Sequence, residues 1–212
     1  LITSGIDGAM KTLWEVVCQP GDQIGVLGPT YAMYYVYNKI FNTNLTEIKY
    51  LPENRKLDWE QLNLFIDSKP KILFLPNPNQ PIEDTLSIEQ IEDLAKRTNI
   101  NGTLLIIDEA YYYFGADTSI KLTEKYDNFS VMRTFSKGFG VPSIRLGYIV
   151  SNEENIEVFS KTRFAHETNA LSAAVAEYLL DHFEIIEEYN KKVISARDEI
   201  KTRLREHNIP CY

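Results

Sequence analysis

The stretch Arg133-Thr134-Phe135-Ser136-Lys137-Gly138-Phe139-Gly140, closed by Arg145-Leu146-Gly147-Tyr148, decides how the rest of the chain is read. Ser130 to Phe135 reads as a buried strand, and Gly138 and Gly140 beyond it let the backbone bend and another group come close. A lysine at such a turn is held in place. Its amine becomes a nucleophile when burial or nearby cations disfavour the ammonium, and Arg145 follows eight residues later. A surface lysine after a strand is the plainer reading. It leaves the company of Lys137 unexplained, because the hydroxyls of Thr134 and Ser136 and the Arg145 guanidinium make an anion site beside an amine able to condense with a carbonyl.

This segment resembles the lysine loop of fold type I pyridoxal-phosphate (PLP) enzymes, whose pattern is close to S/T-x-S-K with an arginine eight residues on. The resemblance implies that Lys137 carries the cofactor, that Thr134 and Arg145 hold its phosphate, and that Ser136 belongs to the same site. Within that family the run from Thr134 to Tyr148 is most similar to the histidinol-phosphate aminotransferase group.

Composition narrows the classes. The 212 residues are 44% apolar and 25% charged, enough for one sizeable core. With 22 basic against 30 acidic residues the net charge is −8, and no basic stripe of the kind that neutralises a phosphate backbone is present, so nucleic acid is not an expected partner. No apolar run is long enough to cross a bilayer and no signal peptide opens the chain, which sets a cytoplasmic expectation. Cys18 and Cys211 read as reduced thiols. The helical spacing of His207 and Cys211 is weak evidence for zinc, and no metal is expected.

Leu1 to Ser4 is a short strand entering a helix with apolar positions Met10, Leu13, Val16 and Val17. Between them Gly5-Ile6-Asp7-Gly8 is either a phosphate cradle of exposed helix amides or an ordinary turn with Asp7 as cap. The resemblance, to the family's G-x-x-E/G loop, implies the cradle, with the amides of Ile6, Asp7 and Gly8 as donors. Gln23 to Leu27 is a buried strand ending in Gly28-Pro29-Thr30-Tyr31, before a helix through Tyr34 and Ile40. Most tyrosines at such a junction merely fill space. Family likeness in G-P-T-Y implies that Tyr31 stacks on the cofactor ring.

Asn44 to Tyr50 alternates as a strand, Asp58 caps a helix to Asp67, and Lys71 to Leu75 is an apolar strand running into Pro76-Asn77-Pro78-Asn79-Gln80-Pro81. That turn resembles the family's N-P-N-N-P-T-G with departures. Ungapped, the asparagine that donates to the cofactor's phenolic oxygen becomes Gln80, and Thr-Gly becomes Ile82-Glu83. A slip of one residue aims Asn79 there instead.

Ser87 caps a helix to Arg97, and Leu104 to Ile107 is a buried strand ending in Asp108-Glu109-Ala110-Tyr111. An acid at that end of a strand sits where open α/β sheets bind ligands. Leu-Leu-Ile-Ile-Asp-Glu-Ala also looks like the Mg²⁺-binding strand of a P-loop ATPase, but the G-x-x-x-x-G-K-[ST] loop is missing. By resemblance to the PLP family, Asp108 pairs with the ring nitrogen, Tyr111 contacts the phenolic oxygen, and Lys137, Asp108 and Tyr111 carry the chemistry.

Arg145 to Val150 is the last strand. Only about ten residues separate it from Ser130 to Phe135, too few for a parallel crossover, so it is expected to run antiparallel. From Leu171, positions Val175, Leu179, Ile186, Tyr189, Val193, Ala196, Ile200 and Leu204 predict one long amphipathic helix. His182 lies on its stripe as a filler and His166 could face the site; neither is assigned a catalytic role.

The elements add up to an α/β fold, a three-layer αβα sandwich around a seven-stranded, mostly parallel sheet with one antiparallel strand. Residues 1–170 are expected to form the PLP-binding large domain and 171–212 a long helix leading toward a small domain. The family's N-terminal arm and the small-domain arginine that grips the substrate carboxylate have no counterpart here, so this reads as the large-domain portion. The implied function is PLP-dependent transamination between an amino acid and an oxo acid, in a homodimer. The alternatives are a PLP decarboxylase or lyase on the same scaffold, and a non-catalytic domain kept for binding.

Overall fold

The computed structural model describes residues 1–82, 84–163 and 167–210. Alternation along its strands decides the layers. In β4 (Ile72–Pro76), Ile72 and Phe74 join one apolar cluster and Leu73 and Leu75 the other; in β5 (Leu104–Asp108), Ile106 opposes Leu105 and Ile107 in the same way. Successive side chains leave a strand on opposite faces, so a run that is apolar at every position needs cover on both. On one side the cover is α3 (Trp59–Asp67) and α4 (Ile88–Asn101), through Leu62, Phe65, Ile66, Ile91 and Leu94. On the other it is α1 (Gly5–Val17), α2 (Met33–Ile40) and α5 (Glu153–Phe159), through Met10, Leu13, Trp14, Tyr34 and Phe159. Each such side chain taken wholly out of water stabilises the fold by about 1.5–3 kcal/mol.

The remaining strands are β1 (Ile2–Thr3), β2 (Gln23–Gly28), β3 (Asn44–Lys49), β6 (Phe129–Thr134) and β7 (Gly147–Val150). They form one sheet in the order β1-β7-β6-β5-β4-β2-β3. Strand β7 runs antiparallel to both its neighbours, and the other pairings are parallel, as the short lysine loop requires. Caps fix the helices: the Asp58 carboxylate accepts from the Gln61 N–H at 2.9 Å, and Ser87 and Gln90 form a capping box. Helix α4 outruns its expected end at Arg97 and stops at Gly102, whose φ of 74° is left-handed.

The expected single long helix is instead two, α6 (Ala170–Asp181) and α7 (Phe183–Glu206). The break is at His182, where φ is −117° and ψ is 50°. It lets Phe183 reach Tyr113 and Phe139, with ring centroids 6.1 and 6.0 Å away, and lets the Asn190 amide donate to the Gly138 carbonyl at 3.1 Å. The lysine loop is thereby packed against α6 and α7 in a third cluster of Phe135, Phe139, Leu146, Ala176 and Ile186. A spacing of three and four persists across one non-helical residue, which is why periodicity did not show the break.

Among the described residues no helix is long and apolar enough to cross a membrane, and no group of three or more His, Cys, Asp or Glu is placed to hold a metal. Cys18 is a buried thiol pushed up to about 12 by its burial. His166 and Cys211 lie outside the described residues.

Behind the site sits one buried ion pair. The Glu109 carboxylate accepts from Arg133 Nε and Nη2 at 3.0 and 2.8 Å, from the Thr118 hydroxyl at 2.9 Å and from the Ser119 N–H at 2.6 Å. This glutamate is saturated by the protein, which leaves it no place as the water-activating acid of an ATPase. It ties the chain after β5 to β6. Removing the cation leaves a buried carboxylate short of its partner, so Arg133→Met is expected to cost about 3–5 kcal/mol in urea unfolding. A loss below about 1 kcal/mol, the scale of an exposed ion pair, would contradict this account of the pair.

Candidate active site

The carboxyl ends of β4, β5 and β6 and the start of α1 converge on a cavity of about 400 Å³. Its lining includes Ile6, Asp7, Tyr31, Gln80, Asp108, Tyr111, Thr134, Ser136, Lys137 and Arg145. Every expected site residue but one is therefore brought together. Gly8 is the exception: it does not line the cavity, and its N–H is spent on the Ser4 carbonyl at 3.3 Å as the first bond of α1. The amides left at this end are those of Ile6 and Asp7, at helix positions whose N–H groups have no intrahelical acceptor. Nor is Asp7 the cap, since Ser4 holds that position.

At this end the groups are already engaged with one another. The Asp7 carboxylate accepts from Arg145 Nη2 at 3.2 Å and from the Tyr31 hydroxyl at 3.1 Å, and Thr134 Oγ1 donates to Ser136 Oγ at 3.1 Å. Burial and the Asp7 charge push the Tyr31 hydroxyl up to about 12. Arg145 takes a left-handed φ of 51° and reaches into the space a side chain on Gly5 would need, its Nη2 lying 2.9 Å from where that Cβ would be. The result is a concave nest of N–H and hydroxyl groups backed by a guanidinium, suited to an oxyanion.

The floor is Asp108, which is 5% exposed. The Ala110 N–H donates to Oδ1 at 3.0 Å and the Tyr34 hydroxyl donates to Oδ2 at 2.7 Å. Burial pushes its carboxyl up to about 6, against the pull of those two donors. Lys137 Nζ lies over the Tyr111 ring, 5.2 Å from its centroid.

The proline-rich turn separates the amides of Asn79 and Gln80. Asn79 is buried: its Nδ2 donates to the Pro29 carbonyl at 3.0 Å and to the Tyr50 hydroxyl at 3.1 Å, while its Oδ1 accepts from Thr30 at 3.0 Å. It braces the turn, and its amide is spent there. Gln80 is exposed at the cavity wall and has no side-chain hydrogen bond among the described residues. Sequence reasoning missed Tyr34 and Thr30 as parts of the site. Their signal was the G-P-T-Y-A-M-Y run, in which Tyr34 follows Tyr31 by three residues, across the turn that enters α2.

The sequence profile of the family described as "Aminotransferase class I and II" matches residues 1–212. The chain belongs to the class I and II aminotransferases. Among curated relatives, histidinol-phosphate aminotransferase of Thermotoga sp. (strain RQ2) is 33% identical over 178 residues, 84% of this chain and 50% of that protein. A dihydroxyacetone phosphate transaminase of Campylobacter jejuni is 34% identical over 197 residues, 92% of this chain and 53% of that one. The chain thus spans about half the length of the curated relatives it matches. Among solved structures, a putative histidinol-phosphate aminotransferase from Erwinia carotovora atroseptica superposes with a TM-score of 0.90 at 24% identity, covering 99% of this chain and 62% of that one. A C-S lyase from Staphylococcus hominis gives 0.86 at 17%, covering 97% and 56%. At these identities the two structures attest the aminotransferase fold alone.

Asp108 links the site to stability. Its folded value of about 6 lies above the ordinary 3.8. Between the two the folded chain keeps a proton that the unfolded chain has released, so stability is fully present below the lower value and declines as pH rises through the upper. Denaturant unfolding at pH 4 and pH 7 should show the cofactor-free chain losing on the order of 2–3 kcal/mol relative to Asp108→Asn. Parallel pH profiles for the two would contradict the raised Asp108 value.

Proposed function

We propose that this chain is the cofactor-binding portion of a PLP-dependent aminotransferase similar to histidinol-phosphate aminotransferase. The observation that carries the reading is the order of groups along one cavity: an oxyanion nest, a buried carboxylate on the floor, and a lysine amine beside an aromatic face. A flat, nitrogen-containing ring with a phosphate at one side and an aldehyde at another needs those partners. The residues fit the group.

Thr134, Ser136, Arg145 and the amides of Ile6 and Asp7 would hold the phosphate, with Tyr31 flanking the ring and Gln80 and Tyr111 near its phenolic oxygen. When bound, PLP supplies an electron sink that lets bonds at an amino acid's α-carbon break. Asp108, ionised at neutral pH, would hold a proton on the ring nitrogen. Lys137 would hold the cofactor through its amine, and the same amine is placed to take and return the proton at the substrate α-carbon. An amino donor and an oxo acid are the substrate class. The two curated relatives bear names with phosphorylated substrates in common, which supports a phosphate ester on one of them. The lyase and binding-only readings are not favoured, and a cytoplasmic homodimer is the assembly this family membership supports.

Borohydride reduction with PLP followed by peptide mass spectrometry is expected to place the cofactor on Lys137, and Lys137→Ala to abolish the label. A label on another lysine, or none on the folded chain, contradicts the assignment. Arg145→Ala removes a charge-assisted partner of the phosphate and should weaken PLP binding by about ten-fold or more. Gln80→Ala, which loses at most one net hydrogen bond of about 0.5–1.5 kcal/mol, should change it less, and the reverse order would contradict these roles.

A further inference from the structure

Asp108 has two protein donors, and they differ in kind. The Ala110 N–H belongs to the backbone two residues away and is present whatever side chains the chain carries. The Tyr34 hydroxyl comes from α2, 74 residues earlier, and makes the shorter contact at 2.7 Å. Tyr34 is wholly buried. Its ring is clamped by Trp14 and Phe74, with centroids 6.3 and 5.3 Å away, and those two rings are themselves stacked at 4.6 Å and 12°. A fully buried hydroxyl needs a partner, and Asp108 supplies it. The clamp fixes the hydroxyl, and the hydroxyl fixes the Asp108 carboxylate.

We infer that Tyr34 is a positioning residue of the active site: through its hydroxyl it orients the Asp108 carboxylate toward the cavity and favours its ionised form. The inference deepens the cofactor reading above, because that reading gives the Asp108 carboxylate its task. A hydroxyl that donates to a carboxylate stabilises the charged state, opposing the burial that raises it. The other charges facing Asp108 are Glu109, next along its own strand and tied to Arg133, and Asp7 of α1, tied to Arg145; both act to keep the Asp108 proton on. Of the side chains around Asp108, Tyr34 is the one that pulls the proton off. Tyr31 and Tyr34 thus divide the entry to α2, Tyr31 at the mouth for the ring and Tyr34 beneath for the carboxylate.

The test is a carbon-13 NMR titration of the aspartate side-chain carboxyls in the cofactor-free chain, with Asp108 assigned by the signal missing from Asp108→Asn. Tyr34→Phe keeps the ring in its clamp and removes the donor, and is expected to move the Asp108 midpoint up by about one pH unit. Replacing Tyr34 by 3-fluorotyrosine, nearly the same shape and a stronger donor, is expected to move it down. This second variant decides the matter even where Tyr34→Phe fails to fold. Midpoints unmoved by either substitution overturn the inference. Since no cofactor is present, the titration stands apart from PLP labelling: a chain that shows the shifts but takes no label on Lys137 overturns the cofactor reading and leaves the Tyr34–Asp108 coupling in place.

Discussion

Gly147 has no room for a side chain, and the site depends on that. In β7 it lies opposite Thr134 of β6 on one side and Thr3 of β1 on the other. A Cβ there would come 2.5 Å from the Gly5 carbonyl carbon and 2.9 Å from the Arg133 oxygen. Because the backbones meet so closely, the start of α1, the end of β6 and Arg145 reach one corner. The antiparallel strand is what delivers them: β7 threads between two strands that run the same way and carries Arg145 at its entrance. A parallel strand would have needed a longer crossover and would have put Arg145 at the other edge.

Neighbouring polar residues then divide between structure and chemistry according to how fully the protein satisfies them. Glu109 is surrounded by donors and paired with Arg133, while Asp108 beside it has two donors and a side open to the cavity. Asn79 and Gln80 repeat the contrast, one amide spent on bracing the turn and the next left at the wall. A buried group with every partner supplied contributes to folding, whereas one with capacity in reserve is available to a ligand. Asp7 stands between these cases. It holds Arg145 and Tyr31 in place through the same contacts that an incoming phosphate would contest.

Much of this was legible in the sequence because it is local. Apolar runs of strand length, caps such as Asp58 and Ser87, and the short loop before β7 each act over a few residues, and each matched the structure. The site motifs were legible because strand ends bring them together in chain order. What escaped was set by long-range contacts. The break at His182 is fixed by Phe183 meeting the lysine loop, and Tyr34 gains its meaning from a carboxylate 74 residues on. The Gly8 amide was lost to the cavity through a one-residue matter of helix phase, because α1 begins at Gly5 and its first bond consumes that N–H.

The central claim is that one cavity, built at the Gly147 junction, seats PLP with its phosphate at the start of α1 and its aldehyde carbon at Lys137. A crystal structure of the chain grown with PLP tests it most directly. The account predicts density continuous with Lys137 Nζ, the ring nitrogen facing Asp108, and the phosphate among Ile6, Asp7, Thr134 and Arg145 with the Asp7–Arg145 contact loosened. A cofactor bound elsewhere, or seated here with its phosphate turned toward Gln80, would contradict it.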